Sequence, residues 1–188
     1  MFKPMGLLNF NLLSQPQCTK LVRDSVSIPS LEGRLFSDRD GRGQGFTVDP
    51  KRYKARERFI DLLPPHVWLR SVLQSALDRG SDYYGLGAMQ QREMPRLLTY
   101  GSSGSHFDWH VDAIAGGSRA ACGRRLAASI QLSDGDGFGG GDLLVRHEDR
   151  IDTASRCRGD VAIFPAEWLH RVTPVTSGCR VVLVMWGY

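Results

Sequence analysis

The apolar positions change rhythm partway along the chain. Before residue 80 they recur at helical spacing: Phe59, Leu62 and Leu63, then Val67, Leu69, Val72, Leu73, Ala76 and Leu77. This predicts helix over residues 50–79, divided at Pro64-Pro65, with Pro65 opening the second helix at its first turn and Gly80 closing it. His66, at that helix start, is expected at the surface. Ahead of these come a strand or short helix near Leu7–Leu13 and a helix from about Pro16 to Ser25. Residues 30–50 are rich in Gly, Asp and Arg and carry too little apolar surface to offset the entropy of ordering them. They read as a mobile surface connection or as a lid over a site.

From Met94 the texture becomes that of short strands. Residues Arg96–Tyr100, His106–Ala113, Arg125–Leu132, Asp142–Arg146, Asp160–Phe164, Leu169–Val175 and Arg180–Trp186 are rich in β-favouring residues and separated by Gly- and Asp-containing turns. Several short strands with no helix between them predict a sandwich or barrel. The expected fold is therefore α+β, with N-terminal helices packed on one sheet of a jelly-roll (double-stranded β-helix) core. The expected division is a single domain over 1–188, with a helical lead-in at 1–93 and the core at 94–188.

Composition changes this picture little. The chain has 188 residues, 41% hydrophobic and 23% charged, which suits one globular domain. The net charge of +4 suits an anionic co-substrate. Basic and acidic residues are interspersed, with no basic run interleaved with aromatics, so a nucleic-acid partner is not expected. Met1 to Leu13 is too short and too interrupted to span a membrane, and no secretory segment is visible. Cys18, Cys122, Cys157 and Cys179 form no C-x-x-C pair. The expectation is a cytoplasmic chain with four buried thiols. Oligomeric state has no signature here.

The candidate chemistry lies in the strand region. In a strand, residues i and i+2 share a face, so His110 and Asp112 can aim an imidazole and a carboxylate at one point. With His170 they make a facial set of two histidines and a carboxylate that leaves open positions, the ligand set of non-haem Fe(II) oxygenases. His106 and Asp108 have the same parity, and parity alone leaves the two pairs as alternatives. Arg180 stands in an otherwise apolar terminal strand. A guanidinium there is costly unless an anion meets it or the strand edge faces solvent; meeting a carboxylate, it would clamp it with two parallel hydrogen bonds.

The run Tyr100, Gly104, Phe107, His110 and Asp112, then Leu132-Ser133, Gly140-Gly141, Gly159-Asp160, Phe164-Pro165, His170, Val172-Thr173-Pro174-Val175, Gly178, Arg180 and Trp186, resembles the Fe(II)/2-oxoglutarate-dependent oxygenases, specifically their prolyl-4-hydroxylase-like group. It covers residues 94–188. The resemblance implies that His110, Asp112 and His170 are catalytic iron ligands. It implies that Arg180 holds the distal carboxylate of 2-oxoglutarate, where many prolyl hydroxylases carry Lys, and that Tyr100 assists. Tyr100 stands ten residues before His110, the spacing that suits the family's first histidine, which favours His110 over His106. Gln131 falls where the family often has an aromatic in contact with the co-substrate. Leu143, Val172 and Trp186 are expected to wall the pocket or to pack the core.

Because Asp112 keeps a carboxylate that related halogenases lack, the resemblance implies hydroxylation or a similar oxidation. It implies Fe(II), 2-oxoglutarate and O2 as the reacting partners, with ascorbate as an optional reductant. The short chain, with no added peptide-binding domain in view, points to a small-molecule substrate such as an amino acid or biosynthetic intermediate. A prolyl or other residue of a protein or peptide is the alternative, and a non-catalytic jelly-roll binding module is the alternative from another class. Residues 30–50 and Ala113–Gly123 are expected to shape specificity.

Overall fold

The computed structural model describes residues 6–37, 45–113 and 123–188. Strand β1 (Leu8–Asn11) runs into helix α1 (Gln15–Ser25). The Ser14 hydroxyl accepts from the Gln17 N–H at 3.4 Å, while Gln17 Oε1 accepts from the Ser14 N–H at 2.8 Å. This reciprocal capping box satisfies donors that the first helical turn leaves open. Short strands follow: β2 (Leu31–Glu32), β3 (Leu35–Ser37), β4 (Gly45–Thr47), β5 (Tyr53–Lys54) and β6 (Arg56–Phe59). After helix α2 (Leu69–Tyr84) come β7 (Arg96–Gly101), β8 (His106–His110), β9 (Leu126–Gln131), β10 (Phe138–Gly140), β11 (Leu143–His147), β12 (Arg150–Thr153), β13 (Asp160–Pro165), β14 (Leu169–Val172) and β15 (Val175–Gly187).

All the strand pairings are antiparallel. The major sheet runs β1-β13-β9-β15-β7-β6-β2, with β10 added to β15, and the minor sheet runs β12-β11-β14-β8-β5. Parity in the long strand β15 divides its side chains between two cores. Leu183 and Met185 join Leu69, Leu73, Ala76 and Leu77 of α2 and Cys18 and Leu21 of α1 in a core between helices and major sheet. Val182 and Trp186 face the other way, and with Leu98, Tyr100 and Ala127 they meet Tyr53, Leu143, Val145 and Val172 of the minor sheet in a second core. Two facing sheets with helices on one outer face make the expected α+β jelly roll. Each of the seven strand runs expected after Met94 is present.

The segment before it departs from expectation. Residues 50–52 form a turn and 53–59 hold strands β5 and β6, where helix is expected. Tyr53, Ala55 and Glu57 are buried while Lys54 and Arg56 are exposed, a period of two. The charge at Glu57 conceals that alternation, and the apolar positions beyond it belong to loop and helix. Helix α2 starts at Leu69 rather than Pro65, and it does not stop at Gly80. It continues to Tyr84, and Gly85, at φ 66°, closes it in the left-handed conformation. Gly80 is a packing position, because a Cβ there would lie 2.7 Å from Ile163 Cγ2.

His66 is buried rather than exposed, its Nε2 3.8 Å from Asp24 Oδ2 of α1. Within the supposed loop at 30–50, β3 pairs with β4 and β2 pairs with β6; residues 38–44 lie outside the described residues. Of the cysteines, Cys18 is buried, but Cys157 and Cys179 are exposed. Cys157 sits just before β13, and Cys179 lies in the exposed opening stretch of β15, next to Gly178 at φ 65°. Cys122 lies outside the described residues.

Candidate metal centre and co-substrate pocket

The site forms between the two sheets. His170 on β14 pairs with His110 on β8, while Val172 pairs with Phe107, so β8 advances three residues where β14 advances two. This bulge breaks the simple alternation of β8. Phe107 and His110, of opposite parity, both face the interior. The four acidic and histidine residues at 106–112 therefore do not share a face, and the group that converges among the described residues is His110, Asp112 and His170. Both ring nitrogens of His106 lie against backbone carbonyls, of Gly104 at 2.8 Å and Lys51 at 3.0 Å, and Asp108 points to solvent. Asp112 lies just beyond β8, where its N–H and that of Ala113 each donate to the Ala166 carbonyl at 2.9 Å.

The candidate ligand atoms of His110, Asp112 and His170 lie within 4.8 Å of one another. Nδ1 of His110 is 2.7 Å from the Asp108 carbonyl and Nδ1 of His170 is 3.0 Å from the Trp168 carbonyl. A carbonyl only accepts, so Nδ1 carries the proton in each ring and Nε2 is the free lone pair in the neutral form. Both Nε2 atoms face Asp112, at 3.9 Å from Oδ1 for His110 and 3.5 Å from Oδ2 for His170. The Phe107 ring stacks on His110 at 3.4 Å between centroids, and Tyr53 stacks on Phe107 at 3.9 Å. The Trp186 indole N–H donates to Asp112 Oδ2 at 2.9 Å.

Electrostatics agree with a cation-seeking cluster. Burial drives His110 down to about 3, and the neighbouring His170 adds to the effect. Burial would raise Asp112, but His170 outweighs it through charge and hydrogen bonding, with His110 and Arg124 adding to the effect. The carboxyl stays below its ordinary 3.8. His170 is correspondingly raised, because Asp112 outweighs its burial. A proton on His170 thus stands where a metal cation would neutralise the same carboxylate.

A pocket with room of about 60 Å³ extends from this cluster. Tyr100, Leu143, Val172, Arg180 and Trp186 line it, together with Leu98, Phe107, Ala127, Ser129 and Phe164. Arg180 is only 4% exposed. Among the described residues no carboxylate lies within ion-pair distance of its guanidinium, and its one hydrogen bond runs from Nε to Gln131 Oε1 at 3.2 Å. Burial lowers its pKa to about 10, so it stays charged at neutral pH. A buried, charged fork that lacks an anion is the feature a bound carboxylate would complete.

Tyr100 pairs with Arg180 across the strands, and burial raises its hydroxyl, leaving a protonated donor beside the guanidinium. Gln131 is not among the pocket-lining residues. It donates from Nε2 to the Ser133 carbonyl and hydroxyl at 2.9 Å and so holds Arg180 from behind. The donor set and the unpaired guanidinium fit a metal ion and a diacid together. Sequence reasoning missed the Trp186–Asp112 hydrogen bond and the ring stack on His110. The small Ala127 and Ser129, alternating on one face of β9, were the readable sign of space there.

Residues 95–188 match the family model described as the 2OG-Fe(II) oxygenase superfamily. The chain belongs to this superfamily. A PKHD-type hydroxylase from Xanthomonas axonopodis pv. citri (strain 306) is 31% identical over 122 residues, covering 62% of this chain and 53% of its own. The chain thus spans about half the length of the curated relatives it matches. The fold is similar to that of a Trichoplax adhaerens prolyl hydroxylase in complex with a hypoxia inducible factor oxygen degradation domain peptide fragment. The TM-score is 0.74 at 16% identity, covering 97% of this chain and 83% of that one. It is also similar to a Pseudomonas putida prolyl-4-hydroxylase, with TM-score 0.67 at 17% identity, covering 97% and 91%. No helix among the described residues is long and apolar enough to cross a membrane.

Proposed function

We propose that this chain is a 2-oxoglutarate-dependent dioxygenase that hydroxylates an unactivated C–H bond of a small molecule, with release of succinate and CO2. The observation that carries the reading is the buried Arg180, with no carboxylate of the described residues within ion-pair distance, in the same pocket as the convergent His110, Asp112 and His170. His110, Asp112 and His170 would hold Fe(II), which would supply the activation of O2; in the overall balance one oxygen atom of O2 goes to succinate as 2-oxoglutarate loses CO2 and the other to the substrate.

The chain's own residues do the positioning. Arg180 and Tyr100 anchor the far carboxylate in a site sheltered from water, where such a pair is strong. Gln131 keeps the guanidinium aimed. Phe107 and Phe164 pack against the rings of His110 and His170 and hold them in place. The apolar walls Leu98, Leu143, Val172 and Val182 exclude water from the reacting bond.

A second reading, a prolyl or other residue of a protein or peptide as substrate, is favoured by the likeness to relatives named as PKHD-type and prolyl hydroxylases. The test is succinate formation from 2-oxoglutarate with Fe(II) and O2, across panels of amino acids, related metabolites and proline-containing peptides. A product mass increased by one oxygen atom on a small molecule is the expected result. Oxidation confined to peptides would select the second reading. No succinate from any panel would overturn both.

A further inference from the structure

We propose that Glu93 and Arg124 form a clamp that acts through Trp186 to set the orientation of the Asp112 carboxylate toward its metal. This rests on the reading of Asp112 as a ligand and adds positioning residues to that site. Arg124 is nearly buried and forms a two-point pair with Glu93, Nε to Oε1 and a terminal nitrogen to Oε2, both at 2.6 Å. The Tyr188 hydroxyl also donates to Glu93. The Arg124 guanidinium lies 3.8 Å from the Trp186 ring centroid, and that of Arg96, which also contacts Glu93 at 3.3 Å, lies at 4.9 Å.

Two consequences follow for the indole. Its plane is fixed by rigid, planar cations that Glu93 holds in place. Its π electrons are drawn toward those cations, which makes the N–H a stronger donor. That N–H is the group on Asp112 Oδ2 at 2.9 Å. With Oδ2 engaged, the carboxylate cannot rotate freely and presents one oxygen rather than two to an ion. Outer partners of this kind orient a ligand without touching the metal. The same indole thus touches both Asp112 and Arg124.

The probe is Co(II) added to metal-free protein, read by affinity and by the Co(II) visible absorption band, beside the melting temperature. Trp186→Phe keeps the ring and removes the N–H; it should weaken Co(II) binding by about 10–100-fold and shift the band. Arg124→Met and Glu93→Gln should weaken it less, by at least about threefold, with the same direction of band shift. Arg124→Lys should fall between Arg124→Met and the wild type. Unchanged Co(II) affinity and band in Arg124→Met and Glu93→Gln, whatever their melting temperatures, would reduce the clamp to structural bracing and overturn the proposal. Should Arg124→Met fail to fold, Arg124→Lys and Glu93→Gln decide by the same two readouts. A wild type that binds no Co(II), or an Asp112→Ala variant that binds it equally well, would instead sink the ligand reading beneath it.

Discussion

Arg180 is the residue on which the co-substrate argument turns. Truncation to Ala leaves a bound diacid without its buried partner, a loss of about 2–5 kcal/mol. The apparent KM for 2-oxoglutarate should rise by the matching factor, with the KM for the primary substrate nearly unchanged; steady-state kinetics with each substrate varied in turn will separate the two. Glu93 yields a prediction in pH. Burial pushes its carboxyl up, but hydrogen bonds from Arg124 and Tyr188, with the guanidinium charges, outweigh this and hold it below its ordinary 4.5. A depressed carboxyl stabilises the fold above the unfolded value, and that contribution disappears as pH falls through the folded value. Denaturant midpoints measured downward from pH 6 should therefore fall more steeply for the wild type than for Glu93→Gln once the pH passes below about 4.5. Parallel curves would mean that Glu93 is not held by these partners. At this scale the sequence was informative where chemistry repeats at short spacing, as in His110 and Asp112. The Trp186–Asp112 bond spans 74 positions and has no local signal.

Elements were legible in proportion to how cleanly their buried face is apolar. Strand β15 alternates pocket and helix-facing side chains, and only Arg180 interrupts it. Strands β5 and β6 bury Tyr53, Ala55 and Glu57, a face with too few apolar positions to reveal a period of two, so their region was read as the helix that follows. Gly80 misled for a different reason. A glycine at the end of an apolar repeat resembles a helix stop, yet here it admits β13 to close contact. Gly80→Ala gains about 1 kcal/mol of helix propensity, but the new methyl meets Ile163 Cγ2 at 2.7 Å and Leu126 Cδ1 at 3.2 Å. Overpacking of this kind costs about 1–3 kcal/mol. The expected result is a net loss of stability in urea denaturation, and a smaller loss when Gly80→Ala is made in an Ile163→Ala background, which removes that Cγ2. A gain in stability would show that the helix and sheet can part without cost.

Across the whole molecule, the helical core on one side of the major sheet holds the fold, and the second core holds the site. The candidate ligand residues arrive from β8, the segment after it, and β14, while Arg180 and Trp186 arrive from β15. The candidate metal site is therefore assembled only by the folded chain, and an ion that binds it must stabilise folding. At a free Co(II) concentration about 100 times the dissociation constant, the gain is about 2.7 kcal/mol. For a chain of this size that raises the melting temperature by roughly 5–10 °C. Asp112→Ala should show no such rise under the same conditions, and equal rises in both proteins would place the ion elsewhere. The jelly roll was readable because seven strand runs sit between turn residues in one half of the sequence. The depth of the site was not, because it depends on sheets meeting across long separations.

The bulge in β8 makes the metal site depend on the number of residues between Phe107 and His110, not only on which residues they are. Asp108 and Trp109 between them can change identity while the imidazole keeps its aim. Removal of either one would restore strict pairing with the imidazole still on the interior face, but it would take away the bulged backbone from which the Asp108 carbonyl holds Nδ1 of that ring, in a sheet still able to form. Insertions and deletions in this short stretch therefore threaten activity far more than stability, and among homologous chains its length is a sharper mark of a working site than its composition.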